Sequence, residues 1–104
     1  MAKTTQQKQA EFITLMNQHG FTLNGKTLYD GRPIYSRKWS KETEVVWYGK
    51  SESNMEIKVY EFDGFPLIAI FRNGKPDGRR RDYSTPKRAI NAIREIVTFA
   101  GYTF

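Results

Sequence analysis

The feature that most constrains this chain is the stretch 55–71, where apolar and polar residues alternate on both sides of an Asp63-Gly64 pair. Side chains along a strand point to opposite faces with a period of two, so Met55, Ile57 and Val59 share one face and Glu56, Lys58 and Tyr60 the other. After the turn, Phe65, Leu67, Ala69 and Phe71 fall on one face, with Ile68 and Ile70 opposite. Apolar residues on both faces predict a central strand covered on both sides. Such a hairpin commits the chain to an antiparallel sheet, which must bury its apolar face against another layer.

Two amphipathic segments can supply that layer. Within residues 3–19, Phe12, Leu15, Met16 and His19 recur at helical spacing, widened by Ala10 and Ile13, and Gly20 follows where a left-handed residue ends a helix. Near the other end, Ala89, Ile93, Ile96, Val97 and Ala100 form a second stripe. Thr85 stands as its N-cap, Pro86 takes the first helical position, and Gly101 terminates it. Tyr102-Thr103-Phe104 is expected to tuck its rings back on the core.

Between the first helix and the hairpin, Asn24-Gly25 separates Phe21-Thr22-Leu23 from Lys26-Thr27-Leu28-Tyr29 and reads as a two-residue hairpin turn. Asp30-Gly31 marks another turn. Residues 32–39 form a further strand that Pro33 restricts to an edge or a strand start. Residues 44–48 read as a strand ending at Gly49, 51–54 as a polar loop, 73–78 as a turn-rich loop, and 79–83 as a short strand or extended tail. The expectation is one α+β domain spanning 1–104, with 1–5 as a flexible tail. Its antiparallel β-meander of about five to six strands carries an N-terminal and a C-terminal helix on one face.

Composition narrows the chemistry. The absence of cysteine among 104 residues excludes disulfides, thiolate metal sites and a cysteine nucleophile. No apolar stretch resembles a signal peptide or reaches bilayer length, so the cytoplasm is the expected compartment. The net charge is +6, and residues 72–94 hold all of it: Arg72, Lys75, Arg79, Arg80, Arg81, Lys87, Arg88 and Arg94 against Asp77 and Asp82. A weaker basic stretch, 26–41, precedes an acidic one, 42–63. This asymmetry points to a polyanionic partner.

Lys87 and Arg88 occupy the first turn of the last helix, where the macrodipole disfavours cations by ~0.3–1 kcal/mol each. An anion bound there, held by unpaired amides, Thr85 and the two cations, would account for the placement. Arg72, Lys75, Arg79, Arg80 and Arg81 would extend the track upstream. The order helix–meander–helix, with Thr85-Pro86-Lys87-Arg88-Ala89 opening the last helix, resembles the double-stranded RNA-binding domain. That resemblance implies a phosphate contact at this turn and a minor-groove role for the helix over 6–19. The extra strands of 21–48 and the pair Ile90-Asn91 depart from the family. Among the rings Tyr35, Trp39, Trp47, Tyr48 and Tyr60, Trp39 is expected to be the exposed one. With Arg37, Lys38 and Lys41 it would form a second contact that stacks bases.

Other chemistry is sparse. His19 is the only histidine and has no second ligand or nucleophile in pattern with it. Glu56-Ile57-Lys58 has a Glu-x-Lys spacing seen in metal-dependent nucleases, with Asp30, Glu44 or Asp63 as a second carboxylate and Mg²⁺ required. Three readings stay open. The first is a non-catalytic nucleic-acid-binding domain (DNA or RNA) without cofactor or metal. The second is a phage or mobile-element type inhibitor module that docks on a nucleic-acid-processing enzyme. The third is the nuclease. A homodimer through an edge strand fits the first two.

Overall fold

Both ends of the first helix are set by local hydrogen bonding. In the computed structural model, which describes residues 4–26, 31–45, 49–62, 65–78 and 80–104, α1 runs Thr5–Gln18. Thr4 caps it: its hydroxyl accepts from the Gln7 amide at 3.2 Å while the Gln7 side chain accepts from the Thr4 amide at 2.9 Å. This reciprocal pair satisfies two donors the helix leaves open, so Thr4 and Thr5 belong to the helix and not to a tail. Gly20, at φ 77°, closes the other end. Its amide donates to Asn17 and that of Phe21 to Met16, a paired termination that delivers Phe21 into the core. α2, Pro86–Phe99, repeats the design, with Thr85 as N-cap and Gly101 at φ 88°.

Among the described residues six strands lie between the helices: β1 Thr22–Lys26, β2 Pro33–Val45, β3 Gly49–Phe62, β4 Phe65–Arg72, β5 Lys75–Pro76 and β6 Arg81–Asp82. They form one antiparallel sheet in the order β1-β2-β3-β4-β5, and β6 adds a second short pairing to β4. The register sets Tyr35 beside Val59, Trp39 beside Met55, Ile57 beside Ile70 and Val59 beside Ile68, all on one face. Phe12 and Met16 of α1 and Ala89, Ile90, Ile93 and Val97 of α2 pack with them into one buried cluster. Each of the larger side chains removed from water contributes about 1.5–3 kcal/mol. The two-layer α+β arrangement expected from the alternation is the one observed.

Four local expectations differ. First, Asn24-Gly25 is not a turn. It lies inside β1, where Gly25 takes φ 97° and the register with β2 slips between Leu23 and Lys26. Lys26 pairs with Pro33; Thr27, Leu28, Tyr29 and Asp30 lie outside the described residues. The Asn-Gly hairpin occurs instead at Asn73-Gly74, both at positive φ, joining Arg72 to Lys75. Second, 51–54 is strand: Ser51 to Asn54 pair with Thr43 to Ser40. Of the expected strand 44–48, Glu44 and Val45 end β2, and Val46, Trp47 and Tyr48 lie outside the described residues. Third, no described helix covers the second face of β4. Ile68 and Ile70 meet the helices, whereas Leu67, Ala69 and Phe71 face away; there Ala69 is buried and Leu67 and Phe71 are half-buried. Fourth, Trp39 is buried, only 7% exposed. It shares parity with Tyr35, so both rings enter the core.

The pairing of β2 with β3 outruns the rest of the sheet. β4 leaves β3 at Met55 and β1 leaves β2 at Ser36, so 40–45 and 49–54 pair only with each other. At ~3.3 Å per residue this ribbon extends ~20 Å beyond its neighbours, and the molecule measures 60 × 27 × 22 Å. Its root is braced. Asn73 exchanges backbone and side-chain bonds with Asn54, the Ser53 and Tyr102 hydroxyls meet at 2.9 Å, and Lys41 donates to the Ala100 carbonyl at 2.9 Å. At the far edge β1 is exposed along its whole length, and its bulge interrupts the ladder that another chain could join. No helix among the described residues is long and apolar enough to cross a membrane.

Candidate nucleic-acid interface

The cations of 72–94 point in three directions. Arg72 lies opposite Met55, on the helix side of the sheet, and is ion-paired with Asp77. Arg81 lies opposite Ile68, also on the helix side, and lines a cleft with Glu95, Ile96 and Phe99. Arg80 goes the other way: its guanidinium stands 5.2 Å from the centre of the Tyr60 ring, on the face away from the helices. Lys75 is exposed on β5. Arg94 covers Phe104 at 5.1 Å. Arg79 lies outside the described residues.

Lys87 and Arg88 form the third group, at the start of α2. The amides there are partly spent. Pro86 has none, and the Arg88 amide donates to the Thr85 hydroxyl at 3.2 Å. Thr85 is thus a helix cap first, with one hydroxyl proton left to offer. Lys87 borders a cleft of about 540 Å³ shared with Lys8, Glu11, Leu15 and Phe65, and the Lys8 ammonium sits over the Phe65 ring at 5.2 Å. Lys8, which the linear charge pattern did not single out, is brought here by the packing of α1.

Of the expected second contact, three of four residues are committed inside the molecule. Arg37 donates to the His19 carbonyl at 2.9 Å and to the Phe104 carbonyl at 2.7 Å. It also lies over the Trp39 ring at 4.6 Å. Trp39 stacks on Phe104 and meets Phe21 edge-on. Lys41 braces the end of α2, as described, and covers Tyr102. Lys38 alone faces outward, 77% exposed, with the half-buried Glu56 at 4.0 Å, a long contact to a solvated lysine worth under ~1 kcal/mol.

The uncovered sheet face therefore gathers a set the charge pattern did not foresee. Ile34, Ser36 and Lys38 of β2, Glu56, Lys58 and Tyr60 of β3, and Leu67, Ala69 and Phe71 of β4 lie there in register. The Lys58 ammonium stands over Phe71 at 4.9 Å and Arg80 over Tyr60. The signal was the parity of 55–71: joining the polar face of one strand to the second apolar face of the next defines this surface.

Glu56 and Lys58 do share this face, but Glu56 turns to Lys38 and Lys58 to Phe71. Asp30 and Asp63 lie outside the described residues, as does the Glu44 side chain. Among the described residues no three His, Asp or Glu side chains group to hold a metal. His19 packs its ring against Phe104 at 5.7 Å. Burial, with the Glu61 carboxylate adding to it, raises the Tyr35 hydroxyl above its ordinary pKa. Compared with family models, curated proteins and solved structures, the chain matches none.

Proposed function

We propose that this protein is a non-catalytic nucleic-acid-binding domain whose principal contact is the uncovered sheet face. One observation carries the reading: the face left open by both helices holds Lys38, Lys58 and Arg80 around Tyr60 and Phe71. A soluble fold gains little from leaving half-buried rings under cations on an uncovered sheet, whereas phosphate and base together complement both groups. Lys8, Lys87 and Arg88 give a second basic patch at the head of α2, suited to a continuing backbone.

The test is an anisotropy titration with DNA and RNA, single and double stranded, at two salt concentrations. Affinity should fall with salt at a slope of about −0.7 to −0.9 per phosphate contacted. Replacing Lys38, Lys58 and Arg80 together by alanine should flatten that slope more than replacing Lys87 and Arg88. Absence of binding at low salt would dispose of the proposal.

A second reading, a protein-docking or inhibitor module, is favoured by Phe99. This ring is 92% exposed beside Ile96 and a cleft that Arg72, Arg81, Asp77 and Glu95 rim. An isolated exposed ring within a charged rim is the composition of a binding hot spot. A stable partner retained after nuclease treatment, and lost on Phe99→Asp, would favour it.

A further inference from the structure

We infer that the open sheet face accepts single-stranded nucleic acid by stacking bases on Tyr60 and Phe71, a statement that rests on the nucleic-acid reading and narrows it to one strand state. Tyr60 lies opposite Leu67, and Phe71 lies four residues further along β4, opposite Glu56. The two rings are thus ~14 Å apart along the strands. Between them sits the pair Lys58 and Ala69, whose small member, only 6% exposed, forms the floor between the rings. The surface reads along its length as ring, shallow step, ring.

Each ring has its own cation, Arg80 at Tyr60 and Lys58 at Phe71. Lys38 stands one strand further out, across from Glu56. A guanidinium can lie flat on a base as well as bind a phosphate, so Arg80 serves either part of a nucleotide. The acids on this side, Glu56 and Asp82, flank the strip; Glu56 is directed at Lys38, and Asp82 lies beyond Leu67 on β6.

Strand state follows from access. In a duplex the flat faces of the bases are stacked on one another and unavailable to a ring on a sheet. A single strand can splay its bases onto aromatic side chains while its phosphates meet the cations beside them. Lys58 and Arg80 stand over Phe71 and Tyr60, so a base takes the ring face as the flexible cation swings aside to its phosphate, an exchange open to a single strand and closed to a duplex.

The experiment compares three probes at low salt: a mixed-sequence single strand, its duplex, and a strand of abasic sites with the same phosphates. The wild type should prefer the base-bearing single strand to both others. Tyr60→Ser with Phe71→Ser should weaken it about a hundredfold, at about tenfold per ring, while changing abasic affinity by less than about twofold. Tyr60→Phe, which keeps the ring, should match the wild type. Equal affinity for single strand and duplex, or equal losses on base-bearing and abasic strands, would overturn the platform and leave the phosphate reading standing. No binding to any probe would remove both. Should the double variant fail to fold, amide shifts of the wild type decide. On adding the single strand they should cluster at 56–60, 67–71 and Arg80, and shifts confined to Lys87 and Arg88 would overturn the inference.

Discussion

Replacing Arg37 by alanine tests whether the basic residues of β2 serve the fold or a ligand. The guanidinium bridges two backbone carbonyls, His19 at the end of α1 and Phe104 beyond α2, at 2.9 and 2.7 Å. It also lies over the Trp39 and Phe104 rings at 4.6 and 5.1 Å. Hydrogen bonds to a charged group contribute about 1.5–3 kcal/mol each, and a partly exposed cation–ring contact about 0.5–1. Incomplete additivity and partial exposure of the side chain lower the sum, so Arg37→Ala should lose about 3 kcal/mol. That is a large share of the ~5–15 kcal/mol typical of a domain. Arg37→Lys keeps the charge but cannot span both carbonyls, and should recover less than half. Urea unfolding followed by tryptophan fluorescence measures this as a lowered midpoint at constant slope. Below the new midpoint, nucleic-acid affinity should match the wild type. A stability change under about 0.5 kcal/mol, with affinity sharply reduced, would refute the assignment and return Arg37 to the binding surface.

Three further outcomes are expected. Gly101→Ala should destabilise by about 1–2 kcal/mol, because φ 88° is strained for any residue with a Cβ. That atom would also come within 2.9 Å of the Lys41 ammonium and push it off the Ala100 carbonyl; thermal melts would show it. Thr85→Ala should cost about 1 kcal/mol through the lost cap, with unchanged affinity for abasic DNA, since the principal contact lies on the sheet face. Tyr35 gives a pH signature. Its folded pKa is raised, so its contribution to stability is full below pH ~10, the unfolded value, and fades as pH climbs through the folded one. Tyr35→Phe should make the alkaline decline in unfolding free energy shallower, and an identical decline would show that folding does not raise the phenol's pKa.

Helix boundaries were legible because their signals are local. Gly20 and Gly101 end their helices by hydrogen bonds that reach back only a few residues, and Thr85-Pro86 opens α2 in the same way. The core face of β3 was legible because Met55, Ile57 and Val59 have no competing pattern. What could not be read depends on partners distant in sequence. Two Asn-Gly pairs offer the same turn chemistry, and only the strand pairings decide that Asn73-Gly74 turns while Asn24-Gly25 bulges, its Asn24 side chain donating to Ser36. Ser51 to Asn54 look like a loop because their polarity suits one, yet the β2 ladder pairs them. Trp39 sits between Lys38 and Ser40 and so seemed exposed, but the partner that buries it, Phe104, comes from the opposite end of the chain. The candidate interface was half visible for the same reason. The charge of 72–94 is a linear property, whereas the sides to which Arg80 and Arg81 project depend on β6 joining β4.

The two-stranded extension of β2 and β3 has a consequence for how this architecture can vary. Because 40–45 and 49–54 pair with nothing else, removing one residue from each, or adding one to each, leaves every other ladder of the sheet in register. Length at that end can therefore be gained or lost two residues at a time without repacking a helix. The root cannot vary so cheaply, since Ser53, Asn54 and Lys41 are tied to Tyr102, Asn73 and Ala100. Natural variants of this chain should differ in reach while sharing an almost invariant collar.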